Sequence, residues 1–315
     1  MRQRYLPLWI SLWVGLGSLL AQTPSGPPEN FTIAFLGDQG LGANAEAVLR
    51  LVKSEGAEVV LHQGDFDYED DPLAWMAQID AVLGPEFPYF AMVGNHDEPK
   101  WSGVEGYQQL LEGRARSQGV AWEGEYGVQS SFTYQGVFII FTAPGVMGQG
   151  HDRYIKEQLA ANQAIWSICA WHKNMRRMQL GRKSDETGWG VYEEARIGGA
   201  IIATGHEHSY SRTHLLSNFT NQTVASTSDT VVLTKGKTFA FVSGIGGKNL
   251  RRQIQPSDDW WASIYTTAQG AQYGALFGVF NVDGQANLAH FYFKNIDGVV
   301  IDSFVVISHV ETSRQ

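Results

Sequence analysis

Five short motifs hold most of the side chains in this chain that could do chemistry. They are Gly37-Asp38-Gln39-Gly40, Gly64-Asp65-Phe66-Asp67-Tyr68, Gly94-Asn95-His96-Asp97, Trp171-His172 and Gly205-His206-Glu207-His208. What they offer is carboxylate, amide and phenol oxygen together with imidazole nitrogen, a donor set that suits first-row metal ions. Asp38 and Asp65 each follow a glycine that ends an apolar run. Glycine lets the chain turn there and leaves the carboxylate at the rim of a sheet, where ligands gather in α/β proteins. His206 and His208 are two residues apart, so an extended backbone presents both rings on one face. That arrangement can serve two ions, which sit about 3.5–4 Å apart in paired catalytic sites. Asn95 adds a neutral carbonyl oxygen and His172 a third imidazole. Taken singly, each residue has a plainer reading: Gly-Asp is common in turns, and a lone histidine is usually structural. Tyr68 is by residue type first a packing group with a satisfied hydroxyl. As a ligand it would have to give up a proton normally held to pH ~10, which a strongly charged cation could bring about.

No single segment makes such a site, so a folded sheet has to assemble it. Apolar strand-like runs at 31–36, 58–62 and 89–93 lead into the first three motifs, and runs at 165–171 and 200–204 lead into the last two. A further run at 137–142 ends at Ala143-Pro144-Gly145. Helix candidates fall between them at 45–55, 72–83, 106–118, 153–161 and 189–196. Ala45, Val48, Leu49, Leu51 and Val52 fit a 3.6-residue period, and Pro72 suits a helix start. This alternation through residue 205 predicts an α/β architecture. After residue 223 the pattern becomes strands joined by turns, at 230–233, 238–242, 276–282, 286–293 and 299–307. We expect these to form a second, more antiparallel sheet packed on the first. The long connection 244–274 reads as either a lid or a surface excursion with its tryptophans packed down.

The N-terminus has a different composition. Arg2 and Arg4 precede an apolar stretch at 6–20 that closes on small residues. It reads as a signal peptide over 1–21, cut near Ala21, with an uncleaved anchor as the alternative. Residues 22–29 are polar and Pro-rich and read as a linker, leaving one domain over 30–311. No apolar run of membrane-spanning length follows, so an exported protein with no membrane segment after cleavage is expected. The chain has 32 acidic and 23 basic side chains and a formal charge of -9, which argues against nucleic acid as a partner. A single cysteine, Cys169, lies in an apolar run and reads as a core residue with no disulfide to make. His62 is expected to pack inside, and His151 to lie at the surface. Asn30, Asn218 and Asn221 begin Asn-X-Thr tripeptides of a kind that often arises by chance.

The five motifs resemble those of the calcineurin-like metallophosphoesterases and, within them, the short single-domain form of the purple acid phosphatases. The wider superfamily carries a histidine two places after the first aspartate; here that place is Gly40, and Tyr68 stands where the purple subgroup has its tyrosine. The run from Gly205 to Arg212 also resembles that subgroup's last motif. The resemblance implies a four-layer α/β/β/α sandwich of two mixed sheets flanked by helices. It implies that Asp38, Asp65, Tyr68 and His208 bind Fe(III), and that Asp65, Asn95, His172 and His206 bind a divalent Fe, Zn or Mn, with Asp65 bridging. His96 would bind and protonate the substrate, and Asp97 would hold its ring or simply form a turn. Tyr210 and Arg212 would brace the histidine loop. The implied reaction is attack of a metal-bound hydroxide on a small phosphate monoester at acidic pH. Two alternatives stay open: a phosphodiesterase or nucleotidase with two divalent metals, and an exported binding protein that keeps the fold without turnover. Substrate specificity and oligomeric state are not encoded in these motifs.

Overall fold

The computed structural model describes residues 26–310. The expected signal peptide at 1–21 lies outside them, as does the first half of the linker. Residues 26–29 are tied to the body: Pro27 is buried and its carbonyl accepts a hydrogen bond from Asn281 at 2.8 Å.

The first eight strands are β1 (Phe31–Leu36), β2 (Val59–His62), β3 (Tyr89–Ala91), β4 (Glu123–Glu125), β5 (Gln129–Tyr134), β6 (Val137–Thr142), β7 (Trp166–Trp171) and β8 (Ile201–Thr204). Among them run helices α1 (Ala43–Ser54), α2 (Pro72–Leu83), α3 (Tyr107–Ser117), α4 (His151–Ala161) and α5 (Trp189–Gly198). The remaining strands are β9 (Tyr210–Thr213), β10 (Leu215–Asn218), β11 (Thr223–Ser226), β12 (Thr230–Leu233) and β13 (Ala240–Ser243). The last four are β14 (Trp261–Tyr265), β15 (Gly274–Phe280), β16 (Leu288–Asn295) and β17 (Val300–Ser308).

Two large mixed sheets stack face to face. One has the order β12-β17-β16-β15-β1-β2-β3 and the other β14-β9-β13-β8-β7-β6-β5-β4; β10 and β11 form a separate hairpin. Helices α1, α2 and α3 lie on the first sheet, and α4 and α5 on the second, which gives the four layers. Strands β1, β2, β7 and β8 are buried on both faces, hence their largely apolar sequences without alternation; β16 alternates buried with half-buried positions. Aromatic rings fill the space between the sheets. Phe35 meets Phe241 edge-on with centroids 5.2 Å apart, and Phe90–Phe132 and Trp166–Phe280 cross the same gap. Helix α2 begins at Pro72, with Asp71 accepting from the Ala74 N–H at 2.9 Å as its N-cap.

The partition of strands differs from the expectation. Residues after 223 do not make a sheet of their own. β12 and β15–β17 extend the sheet of β1–β3, while β13 and β14 join β6–β8. β1 is buried on both faces and takes β2 in parallel on one edge and β15 antiparallel on the other. Periodicity reports burial of faces and says nothing about which strand supplies the neighbour. The polar strands β4, β5, β9, β10 and β11 carry too little apolar signal to stand out, and β14 lies inside the supposed loop 244–274.

Tyr210 and Arg212 on β9 reach across to the other sheet. The Arg212 guanidinium grips Asp302 of β17 through two bonds, 2.7 and 3.0 Å, and lies 3.8 Å over the Phe304 ring. The Tyr210 hydroxyl donates to the same carboxylate at 2.7 Å. Both residues are thus placed to anchor the strand that follows the histidine loop. Asp302→Ala should cost about 3–5 kcal/mol, the usual consequence of stranding one member of a buried pair. Urea unfolding measures it. Replacing the pair together with Arg212→Met and Asp302→Leu should lose less than the single change.

Candidate metal centre

All five motifs leave the carboxyl ends of parallel strands. β1, β2 and β3 deliver the first three from one sheet, and β7 and β8 deliver His172 and the histidine loop from the other. The loops bond to one another across the sheet boundary. The His206 N–H donates to Asp38 Oδ2 at 2.8 Å, and the His172 ring reaches the Gln63 carbonyl at 2.7 Å. Such close passage needs glycine. A Cβ on Gly94 would stand 2.3 Å from Asp65 Oδ1, and one on Gly64 would stand 2.7 Å from the Gly94 nitrogen. Asp38, Asp65, Tyr68 and His206 all have left-handed backbones, with φ of 58°, 59°, 64° and 70°. Non-glycine residues take that conformation at a cost and cluster so at functional sites.

The side chains converge in two groups. In the first, the Tyr68 hydroxyl lies 3.0 Å from Asp38 Oδ1 and 3.2 Å from His208 Nε2, and that nitrogen lies 3.2 Å from Asp38 Oδ1. In the second, His172 Nε2 is 3.1 Å from Asp65 Oδ2 and 3.0 Å from His206 Nδ1. Ligating atoms of Asp65, His172 and His206 all fall within 4.8 Å of one another. The Asn95 side-chain oxygen beside them is buried without a hydrogen-bond partner.

Each imidazole is held from behind. The outward nitrogens of His172 and His208 meet the carbonyls of Gln63 (2.7 Å) and Asn249 (2.6 Å), and that of His206 meets the Glu186 carboxylate at 3.0 Å. Carbonyls and carboxylates only accept, so each ring carries a hydrogen on the outside and turns its other nitrogen toward the centre, where that of His172 shares a second hydrogen with Asp65. Metal-binding histidines are held in this way. Burial works against charge throughout the cluster. It raises the Asp38 and Asp65 carboxyls, but His208 and His172 respectively reverse this and leave both below the usual carboxylate range. His172 is depressed by burial and lifted more strongly by Asp65, reaching about 9. Burial, then Asp38 and Asp65, push the Tyr68 phenol far up, so only a cation in its place would free that oxygen as a ligand. Converging ring nitrogens, an orphaned amide oxygen and two carboxylates fit a pair of metal ions.

Six of the seven expected ligands therefore come together, and Asn95 precedes His96, whose N–H bonds to Asp65 Oδ1 at 2.9 Å. His96 stands exposed at the mouth, its ring 4.6 Å from that of Tyr68. Asp97 differs from the expectation. It neither holds the His96 ring nor serves as a plain turn residue. Its buried carboxylate accepts three backbone N–H groups, from Asp65 and Phe66 at 2.8 Å and Gly94 at 2.7 Å, locking the second motif to the third. His151 is not at the surface; it is 5% exposed at the start of α4. His62 is buried, as expected, among Phe66, Trp75 and Tyr89. Trp260 of the connection 244–274 packs on the core, as the plainer reading expected, and the start of the connection joins the site: its Gly246 and Lys248 N–H groups bond to the Gly37 and Asp38 carbonyls at 2.9 Å, and Asn249 backs His208. Sequence reasoning missed Glu186, Asn249 and Lys248. A histidine ligand calls for a partner on its far nitrogen, yet nothing in the sequence says which loop supplies it.

A family model for calcineurin-like phosphoesterase matches residues 31–210. The chain belongs to that family. Its fold is also that of solved relatives. A purple acid phosphatase, PPD1, from yellow lupin (Lupinus luteus) superposes with a TM-score of 0.68 at 18% identity over 91% of this chain. This chain spans 55% of the lupin protein's length. GAP50, described as the anchor in the inner membrane complex of Plasmodium, gives 0.58 at 12% identity, covering 89% of this chain and 90% of its own. PhoD gives 0.53 at 12% identity, covering 92% and 76%. No curated protein matches the sequence significantly. The metallophosphoesterase fold implies a dinuclear centre, and the clustered donors offer the place for it.

If Glu186 fixes the His206 ring, Glu186→Ala should weaken metal binding by about 10- to 100-fold without unfolding the protein. A chelator-competition titration reads this, and an unchanged affinity would count against that role.

Proposed function

We propose that this chain is an exported acid phosphatase that hydrolyses phosphate monoesters. The observation that carries this reading is the contact of one phenol, one carboxylate and one imidazole at a single point, Tyr68, Asp38 and His208. Two hard oxygens, one of them a potential phenolate, suit a trivalent ion, and Fe(III) is the natural occupant. Asp65, Asn95, His172 and His206 offer a softer set with more nitrogen, suited to a divalent Fe, Zn or Mn. Two such ions would supply Lewis acidity to the phosphoryl oxygens and make water a nucleophile below neutral pH.

The remaining roles fall to the chain's own groups. Asp65, whose Oδ2 lies 3.1 Å from His172 Nε2, would be the ligand common to both ions. Among the described residues the His96 ring has no hydrogen-bond partner, and it stands exposed beside Tyr68, so it can bind a phosphoryl oxygen and hand a proton to the departing alkoxide. The Lys248 ammonium, 4.2 Å over the Tyr68 ring, adds positive charge where the phosphate would arrive. Glu186 and Asn249 keep the histidine lone pairs pointing inward. The reading as a binding protein without turnover requires lost ligands, and all seven are present. The apolar stretch at the N-terminus supports export.

The natively purified protein should absorb visible light through a tyrosinate–iron transition, and Tyr68→Phe should abolish the band. A colourless, iron-free protein that still cleaves phosphodiesters would favour two divalent metals instead. With an aryl phosphate in acidic buffer, His96→Ala should lower kcat/KM by about 10²- to 10⁴-fold while metal content stays the same. Loss of metal in that variant would place His96 among the ligands.

Chelation should also destabilise the fold, since metal at a thousandfold above its Kd adds about 4 kcal/mol. A melt lower by roughly 10 °C, restored by adding the metals back, is the expected result.

A further inference from the structure

Beside the metal centre, the loops 181–186 and 248–254 enclose a second cavity. Its volume is about 340 Å³, and Gly181, Arg182, Lys183, Glu207, Arg251 and Arg252 line it along with Ile254. The two loops are bonded together, the N–H groups of Ile254 and Gln255 reaching the Leu180 carbonyl at 2.7 and 2.9 Å. Each loop also has one end at the metal donors. Three residues beyond Lys183, Glu186 holds the His206 ring; three before Arg251, Lys248 lies over Tyr68. The cavity therefore adjoins the His206–His208 loop, with the Arg251 N–H bonding to the His208 carbonyl at 3.0 Å and its guanidinium 3.4 Å from the His206 carbonyl.

Its charge sets it apart from a protein with a formal charge of -9. Four cations meet one carboxylate, Glu207, which is buried and lies 3.4 Å from Arg251. Among the described residues Arg182, Lys183 and Arg252 have no carboxylate partner. Lys183 is half-buried, and burial and then Arg251 hold its ammonium below the usual lysine range. Four like charges gathered in a concave site with one carboxylate among them repel one another, and an anion relieves that repulsion. Arginine forks are well matched to a phosphate.

We propose that Arg182, Lys183, Arg251 and Arg252 form an anion subsite for a second phosphate carried by the leaving group. This deepens the phosphatase reading and rests on it. One phosphate of the substrate engages the metal centre while the other lies between the two basic loops, so small organic bisphosphates are preferred over monophosphates. The specificity of the reaction is then set by residues that touch no metal donor through their guanidinium tips, Arg182 and Arg252 above all.

The test compares fructose 1,6-bisphosphate with fructose 6-phosphate on the metal-loaded protein. Wild type should show a higher kcat/KM for the bisphosphate, chiefly through KM. The double variant Arg182→Gln, Arg252→Gln should reduce that preference about tenfold, and Arg182→Lys, Arg252→Lys should restore much of it. Calorimetry with hydrolysis-inert hexane-1,6-diphosphonate and hexylphosphonate gives a readout independent of turnover. The diphosphonate should bind more tightly to wild type, and the advantage should vanish in the glutamine variant. Equal binding of the two phosphonates, or a preference the glutamine variant leaves intact, would overturn the subsite. Absence of turnover on any monoester, with the diphosphonate advantage still present, would instead overturn the phosphatase reading and leave the subsite standing.

Discussion

Two buried carboxylates and three inward-facing imidazole nitrogens are gathered in one place, and electron-rich groups packed this closely are unstable without positive charge. In the bare protein, protons stand in. His172 keeps one beside Asp65, and the Tyr68 hydroxyl keeps another against Asp38. Cations can take over both positions, and then every donor is satisfied at once, including the orphaned Asn95 oxygen. The surrounding structure exists to keep these groups from moving apart. Four strained backbones, three rings pinned from behind and the three-pronged Asp97 lock all act on the same few ångströms.

That requirement explains the fold's topology. A single sheet could present three consecutive parallel strand ends side by side, as β1, β2 and β3 do, but their loops would face solvent on one side. Stacking a second sheet whose β7 and β8 end at the same edge closes the site from above. The motifs are far apart in the chain because the intervening segments have to build the second sheet before the last histidines can arrive. The Arg212–Asp302 grip and the aromatic layer hold the sheets at fixed separation. An error there would be transmitted directly to the distance between Asp38 and His206.

How much of this could be read in advance follows from what burial does to sequence. Strands β1, β2, β7 and β8 announce themselves because both faces are covered, and nearly every residue in them is apolar or small, His62 being the exception. Asp38, Asp65, Asn95 and His206 are legible because each follows a glycine at the end of an apolar run, and His172 because it ends one directly; Tyr68 and His208 stand out only by their place in those motifs. The strand partition was not legible, since β15 and β13 look alike in sequence yet join different sheets. Asp97 illustrates a subtler limit. Its neighbour His96 suggested a side-chain pair, whereas the tight turn sends the carboxylate inward to three N–H groups. Glu186 and Asn249 sit in loops with no pattern of their own, and only the folded chain reveals that they fix the histidine tautomers.

The fold alone does not decide whether such a protein turns over substrate, because solved proteins of this shape include both a phosphatase and one described as an anchor. The decision lies in side chains whose upkeep is costly. Leaving Asn95 without a partner, twisting Tyr68 and His206 into left-handed backbones, and burying Asp38 all lower stability. A scaffold relieved of catalysis would be expected to shed them, since substitution by ordinary residues would stabilise it. Their presence together in one place, beside the exposed imidazole of His96, favours the hydrolase we propose over a passive anchor.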